Sequence, residues 1–184
     1  MKRIVIFLLC FMIFAPVCFA EKQYFIDKQS VDELTQVGKE LSQFTNQLLE
    51  LRRDLTDERQ IFNFLLIEQN IVMQQSLIYS LLCMLDMENF HNQSGQSNQN
   101  AIRVVNEFIS KINESINSSI NDNNLRLRQS QSTVLNEQYN QYYIYLSKVK
   151  NILYDLGMQL ARSLPAGSRQ SNASVLPKVD VDFQ

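Results

Sequence analysis

Glycine and proline are scarce in this 184-residue chain, with four and three copies, so the residues that usually end helices or open tight turns are rare. Apolar residues do not alternate with polar ones over any long stretch, so β-strands have little support. What is present is a persistent spacing of apolar residues at steps of three and four, which is typical of amphipathic helices. The sequence therefore predicts an all-α fold.

Cysteine and histidine are also few, with three Cys and one His. Cys10 and Cys18 lie in an N-terminal segment that we expect to be removed, which leaves Cys83 without a partner for an internal disulfide. We interpret Cys83 as a small buried apolar residue, with a reactive thiol or an intermolecular bridge as the alternatives. One His and one Cys cannot form a zinc set, and we expect neither a metal nor a cofactor.

Catalytic groups are sparse. His91 lies in the polar segment 91–100, which we predict to be a loop, so it would have no rigid support. Asp86 and Glu88 stand at the end of an apolar helix, and a solvated helix end explains them better than acid–base chemistry. We predict no catalytic site, and an enzyme that uses Asp86, Glu88 or His91 is the alternative.

Positive charge is missing from a long part of the chain, because no Lys or Arg occurs between Arg59 and Arg103. The formal net charge is −2. Nucleic-acid binding requires a clustered basic face, and a membrane-surface helix places cations beside its apolar face. Neither pattern is found, so we expect no nucleic acid as a partner and no surface-bound helix.

The N-terminus has the pattern of an export signal. Lys2 and Arg3 precede an apolar region from Ile4 to Phe14, and small residues at Cys18 and Ala20 suit a signal peptidase. We predict that residues 1–20 are a signal peptide cleaved after Ala20, with an uncleaved anchor as the alternative. The mature protein is then exported to a bacterial periplasm, cell surface or medium. Four sequons would carry glycans in a eukaryotic secreted factor, at Asn92, Asn113, Asn117 and Asn172.

Residues 21–164 are predicted to form one domain, an elongated three- to four-helix bundle with coiled-coil-like packing, and residues 165–184 a disordered tail. Ser30 with Glu33 is predicted to cap the first helix. Asp57 with Gln60 would cap the second, although one continuous kinked helix is the alternative. We use the word seam for the line of apolar residues by which a helix is predicted to pack against its neighbours. The seam of the first helix consists of Leu34, Val37, Leu41, Phe44, Leu48, Leu51 and Leu55.

The segment 61–87 is apolar on almost every side of a helix, yet polar interruptions keep it too short to span a bilayer. We expect it to be a central helix covered by the other three, with one narrow polar stripe. The alternatives are a shared interface with a second copy or another subunit, and insertion into a membrane. The side chains we expect to serve packing or assembly include Phe62, Leu66, Leu77 and Leu81, with Leu65 and Val72 also predicted to be buried.

Two more helices are predicted after residue 100. The third presents a face of Ile102, Val105, Ile109, Ile112 and Ile116, and its polar stretch 118–124 predicts a break. The fourth begins near Ser132 or Thr133. Its seam keeps alternating steps of four and three throughout. It consists of Leu135, Tyr139, Tyr142, Leu146, Val149, Leu153, Leu156 and Leu160.

A cluster of tyrosines in segment 138–146 is the most suggestive local feature. Tyr139 and Tyr142 belong to the seam, whereas Tyr143 and Tyr145 lie at its margin. Tyrosine is favoured at protein interfaces because it combines an apolar face with a polar tip. We consider both core-edge packing and a recognition patch, in which Lys148 would help to hold an acidic partner.

A resemblance to a known family is confined to the N-terminal region. The signal peptide, the residues Tyr24, Phe25, Ile26 and Asp27, and the Gln-rich heptad helix that follows resemble the start of minor pilus subunits of bacterial type IV secretion and conjugation systems. The resemblance implies a helical, exported, non-enzymatic protein that assembles at a pilus tip. From the residues themselves we predict an exported helical interaction protein that binds itself or a protein partner; a membrane-active protein is a further alternative.

Overall fold

The protein consists of four helices packed as a bundle in the part of the chain that the computed structural model describes, residues 26–93 and 99–163. They are α1 (Lys28–Arg53), α2 (Glu58–Gln93), α3 (Gln99–Gln129) and α4 (Thr133–Ser163). Within these residues there is no strand, so the predicted all-α bundle is confirmed. The predicted signal peptide and C-terminal tail lie outside the described residues.

Each helix packs against the next one along the chain, and α4 returns to pack against α1, so the bundle is closed. Neighbouring helices run antiparallel, as the contacts between α1 and α2 illustrate. Arg52 near the end of α1 pairs with Glu68 near the start of α2, whereas Gly38 lies against Tyr79 farther along. Short connections between helices favour this up-and-down order.

The start of α1 differs from the prediction. Asp27 is the N-cap, and its carboxylate accepts a hydrogen bond from the Gln29 N–H at 3.0 Å. Ser30 is already helical and buried, and its hydroxyl accepts a hydrogen bond from the Gln159 side chain of α4. The predicted cap at Ser30 was therefore wrong, because packing against α4 uses that hydroxyl.

The predicted separation of α1 and α2 is confirmed. The Asp57 carboxylate accepts hydrogen bonds from the N–H groups of Arg59 and Gln60, at 2.8 and 3.0 Å. These bonds satisfy two of the donors that a helix start leaves unpaired. At the other end of α2 the helix continues through His91 to Gln93, so the predicted loop from residue 91 was wrong at its boundaries; α3 begins at Gln99.

The predicted break at residues 118–124 is absent, because α3 is continuous from Gln99 to Gln129. Polar side chains in this stretch have partners outside their own backbone. The Asn123 amide donates to the Tyr139 carbonyl at 2.9 Å, and the Ser119 hydroxyl accepts from Gln74 at 3.1 Å. Since these groups are engaged by other helices, they do not compete with the α3 backbone.

The core follows the predicted seams closely. Every predicted seam residue of α3 and α4 is buried, as are the first five of α1. Leu51 is 39 % exposed and Leu55 only half-buried, so the α1 seam ends earlier than predicted. Steps of three and four along these seams fit the knobs-into-holes packing of antiparallel bundles.

Candidate interaction surface

Helix α2 buries one stripe and leaves the opposite one uncovered. The buried stripe advances in strict steps of three and four and comprises Phe64, Ile67, Ile71, Gln74, Ile78, Leu81 and Leu85. The expectation that α2 is a central helix covered on most sides was wrong. α2 packs against α1, α3 and, less extensively, α4, and these contacts leave its far side open.

We call the uncovered stripe the α2 outer face. Its large apolar side chains are between 42 % and 62 % exposed: Phe62, Leu65, Val72, Met73, Tyr79 and Met87. Exposed Gln69, Ser76, Ser80 and Cys83 lie among them. Exposed apolar patches often mark sites of interaction, and the side chains that interrupt this one are all uncharged.

Charge is nearly absent from this part of α2. Between Arg59 and Asp86 the only charged side chain is Glu68. Its carboxylate oxygens accept two hydrogen bonds from the Arg52 guanidinium, at 2.9 and 3.3 Å, and it is therefore directed towards α1. On the same side the Gln75 amide donates to the Ser42 hydroxyl at 2.6 Å. The polar groups at this edge bind α1, and the outer face is left neutral.

The predicted α2 residues divide between the two stripes. Leu81 is fully buried, Leu66 and Leu77 are half-buried, and Phe62 is 58 % exposed. The predicted burial of Phe62, Leu65 and Val72 was wrong, and so was that of Cys83, which is an exposed free thiol. The sequence contains a pattern that indicates this arrangement. From Phe62 onward a second set of residues recurs at steps of three and four, on the side of the helix opposite the buried stripe.

The tyrosines of α4 serve mainly the inside of the bundle. Tyr139 and Tyr142 are each 1 % exposed, so they belong to the core and offer no surface to a partner. Burial raises the pKa of Tyr139, and the neighbouring Arg126 opposes this effect. Burial also raises the pKa of Tyr142 well above its usual value, with a smaller opposing effect from Ser119. Tyr143 is half-buried.

Tyr145 and Lys148 of α4 contact side chains of α1. The ring of Tyr145 packs against Phe44 of α1 with 5.4 Å between centroids, and the Lys148 ammonium lies 5.6 Å from the Tyr145 ring centre. Lys148 also donates to the Glu40 carboxylate at 3.1 Å. The Lys148 ammonium, which was predicted to help hold an acidic partner, is thus paired with Glu40 of the same chain.

A polar cluster interrupts the buried stripe of α2 at Gln74. Its amide donates to the hydroxyls of Ser115 and Ser119 on α3, at 3.0 and 3.1 Å, while its own side-chain oxygen has no hydrogen-bond partner. The contact between Gln74 and the two serines restricts the register of α2 and α3, because sliding one helix along the other would leave all three side chains unpaired.

Asn113, a predicted sequon, is fully buried, so the folded chain has no room for a glycan there.

An open polar cleft of about 510 Å³, which the sequence did not indicate, lies at the end of the bundle where α2 and α4 begin. Arg59, Arg126 and Tyr139 are among its lining residues. Arg126 is not a free cation, because it pairs with Asp122 at 2.7 Å. This hydrogen bond is also the main cause of its raised pKa. The cleft brings together polar groups from α2, α3 and α4.

The residues considered for catalysis are placed on a single helix. Asp86 is exposed and Glu88 half-buried near the end of α2, which continues through His91. Among the described residues no group of three or more His, Cys, Asp or Glu side chains is arranged to hold a metal ion. In the same part of the chain no helix combines the length and apolar character needed to cross a membrane.

Comparison with known protein families, with curated proteins and with solved structures finds no match to this chain. The resemblance to minor pilus subunits is not addressed by these comparisons and stays a prediction. Of the residues that carry it, Ile26 and Asp27 lie at the start of α1, and Tyr24 and Phe25 lie outside the described residues.

Proposed function

We propose that this chain is an exported, non-enzymatic helical assembly protein that acts by binding a protein through the α2 outer face. The observation that carries the proposal is the uncovered apolar stripe along a helix of 36 residues. Leaving such side chains in water is unfavourable by roughly 25 cal/mol for each Å² of apolar surface. A protein surface that covers the stripe relieves this cost, and the lack of charge on the stripe favours apolar contact over ion pairing.

Export is supported by the sequence of residues 1–20, in which a basic start, an apolar region and small residues at the cleavage position follow in order. Cleavage leaves Cys83 as the one cysteine of the mature chain, so no internal disulfide can form and stability depends on packing. The seams of α2 and α4, with their steps of three and four, support coiled-coil-like packing for the bundle.

Site-specific photo-crosslinking in the cells that produce the protein tests this function. A photoreactive amino acid replaces Leu65 on the α2 outer face or, as a matched control, Leu125, an exposed leucine of α3. We expect a discrete protein adduct from position 65 in the exported fraction and none from position 125. Equal labelling at both positions, or none at position 65, would contradict the proposed surface.

The export half of the proposal is tested separately by fractionation and N-terminal mass spectrometry. We expect the chain outside the cytosol with Glu21 as its first residue. A cytosolic chain that retains Met1 through Ala20 would rule out export and leave the surface to be judged by the crosslinks alone.

A further inference from the structure

The α2 outer face has a pattern that is nearly symmetric about Ser76. Val72 and Met73 stand four and three residues before it, and Tyr79 stands three residues after it. Leu65 and Met87 each lie eleven residues away, on opposite sides. All five large side chains are exposed, whereas Ser76 itself is small. The pairs Met73–Tyr79 and Leu65–Met87 are therefore spaced alike in both directions along the helix, whereas Val72 has the small Ser80 as its counterpart.

We propose that the occupant of the α2 outer face is a second copy of this chain, with the two α2 helices antiparallel and a two-fold axis at Ser76. This inference rests on the proposed function and names its partner. A two-fold interface uses the same patch on both subunits, so the patch must be complementary to itself. The symmetric spacing meets that requirement, because Met73 lies opposite Tyr79 of the second copy and Leu65 lies opposite its Met87.

The exposed apolar area of the face provides more than half of what such a dimer needs. Its six large apolar side chains are each about half exposed, which amounts to on the order of 500 Å² for residues of this size. The exposed polar and small residues between them, and the half-buried Leu66, Leu77 and Met84 beside them, extend the surface. A stable interface needs about 800 Å² from each partner. The six apolar side chains therefore cover part of this area, and the dimer requires the flanking side chains of α2 to supply the rest.

Charge favours the antiparallel arrangement over the parallel one. A face with no charge between Phe62 and Cys83 can meet its own copy without repulsion. Parallel pairing in register would place the two copies of Asp86 at the same level along the pair, with no Lys or Arg on α2 beyond Arg59 to compensate. Antiparallel pairing about Ser76 separates the two carboxylates by roughly 30 Å. At that distance salt screens most of the repulsion between them. Antiparallel pairing also aligns the helix dipoles favourably.

Light scattering on the purified mature chain tests the dimer, with Leu65→Glu and the matched Leu125→Glu as variants. Both leucines are exposed, at 42 % and 55 %, so circular dichroism should show folded helices in each. We expect twice the chain mass for the unaltered protein and for Leu125→Glu, and the mass of a single chain for Leu65→Glu. A single-chain mass for the unaltered protein at every concentration, or equal loss in both variants, would overturn the proposal.

Cysteine crosslinking tests the arrangement without relying on a disruptive variant. With Ser76→Cys in a Cys83→Ser background, the two thiols meet at the two-fold axis, and a short bismaleimide should join the chains. In the unaltered protein the two copies of Cys83 lie fourteen residues apart along the paired helices, roughly 21 Å, and the same reagent should fail to join them. Efficient joining through Cys83 would show parallel pairing and overturn the antiparallel dimer.

The outcomes also separate this inference from the proposed function. A monomeric protein that still gives an adduct at position 65 with a different protein disproves the second copy and retains the function. A monomer that instead floats with vesicles of phosphatidylethanolamine and phosphatidylglycerol disproves both, because lipid then covers the face.

Discussion

Tyr142 places a phenol in the core of the bundle. Its hydroxyl is buried near Ser119 but does not reach hydrogen-bond geometry, and burial raises its pKa. The folded protein therefore holds this proton more tightly than the unfolded chain does. The resulting contribution to stability is present below the usual tyrosine pKa of about 10 and is lost as the pH rises above it.

We predict that Tyr142→Phe weakens the loss of stability at alkaline pH. Above about pH 10 the unaltered protein should lose up to about 1.4 kcal/mol of unfolding free energy per pH unit through this group, and the variant should not. At pH 7 the variant should differ by less than about 1 kcal/mol, since the hydroxyl makes no good hydrogen bond. Urea unfolding at pH 7 and pH 10.5 measures both values.

Tyr143→Phe is the control, because Tyr143 is a half-buried tyrosine of the same helix. If Tyr142→Phe follows the same alkaline profile as the unaltered protein and the control, the assignment of the effect to the buried phenol is wrong.

Helix α2 shows how an element can be apolar on two sides without being central. Its buried stripe and its outer face each follow steps of three and four, so together they cover most of the helix surface. Apolar content alone does not tell which stripe meets the bundle. The stripe interrupted by Gln69, Ser76 and Ser80 faces outward, and the more continuous one, interrupted by Gln74, faces inward.

The start of α2 gives a prediction for a single element. Asp57→Ala removes the carboxylate that accepts from two backbone N–H groups, and we expect a loss of about 1 kcal/mol in unfolding free energy. Asp57→Asn should keep most of the stability, since its amide oxygen can accept the same bonds. Urea unfolding of the two variants measures this difference. Equal losses in both would indicate that charge near the helix dipole, and not the cap geometry, is responsible.

At the scale of the whole molecule, closure of the bundle depends on the contact between α1 and α4. Phe44 is fully buried there against Tyr145, and the Lys148–Glu40 pair lies at the surface above them. Burial of an aromatic ring contributes far more than an exposed ion pair, which is screened by water and salt. Packing should therefore hold the first and last helices together.

We predict that Phe44→Ala lowers the unfolding free energy by about 3–5 kcal/mol and that Lys148→Ala lowers it by less than about 1 kcal/mol. Denaturant unfolding followed by circular dichroism measures both, and added salt should change only the small effect of Lys148. Comparable losses in the two variants would mean that electrostatic contacts close the bundle.

The sequence by itself determined the helices and most of their core. The spacing of Ile and Leu in α3 and of Leu and Tyr in α4 predicts the buried seams, because a helix repeats every 3.6 residues whatever it packs against. The break before α2 followed from Asp57, whose carboxylate caps the helix through local bonds. These features depend on neighbours along the chain.

Only the tertiary structure decided which stripe of α2 is covered, whether α3 is continuous and where Cys83 lies. Each depends on side chains distant in sequence. Gln74 and Tyr139 engage the polar residues of α3 that would otherwise break it. In the closed bundle the other three helices contact α2 from its buried side, which leaves its outer face uncovered. Local periodicity can show that two faces are apolar, but the number and arrangement of neighbouring helices decide which one meets water.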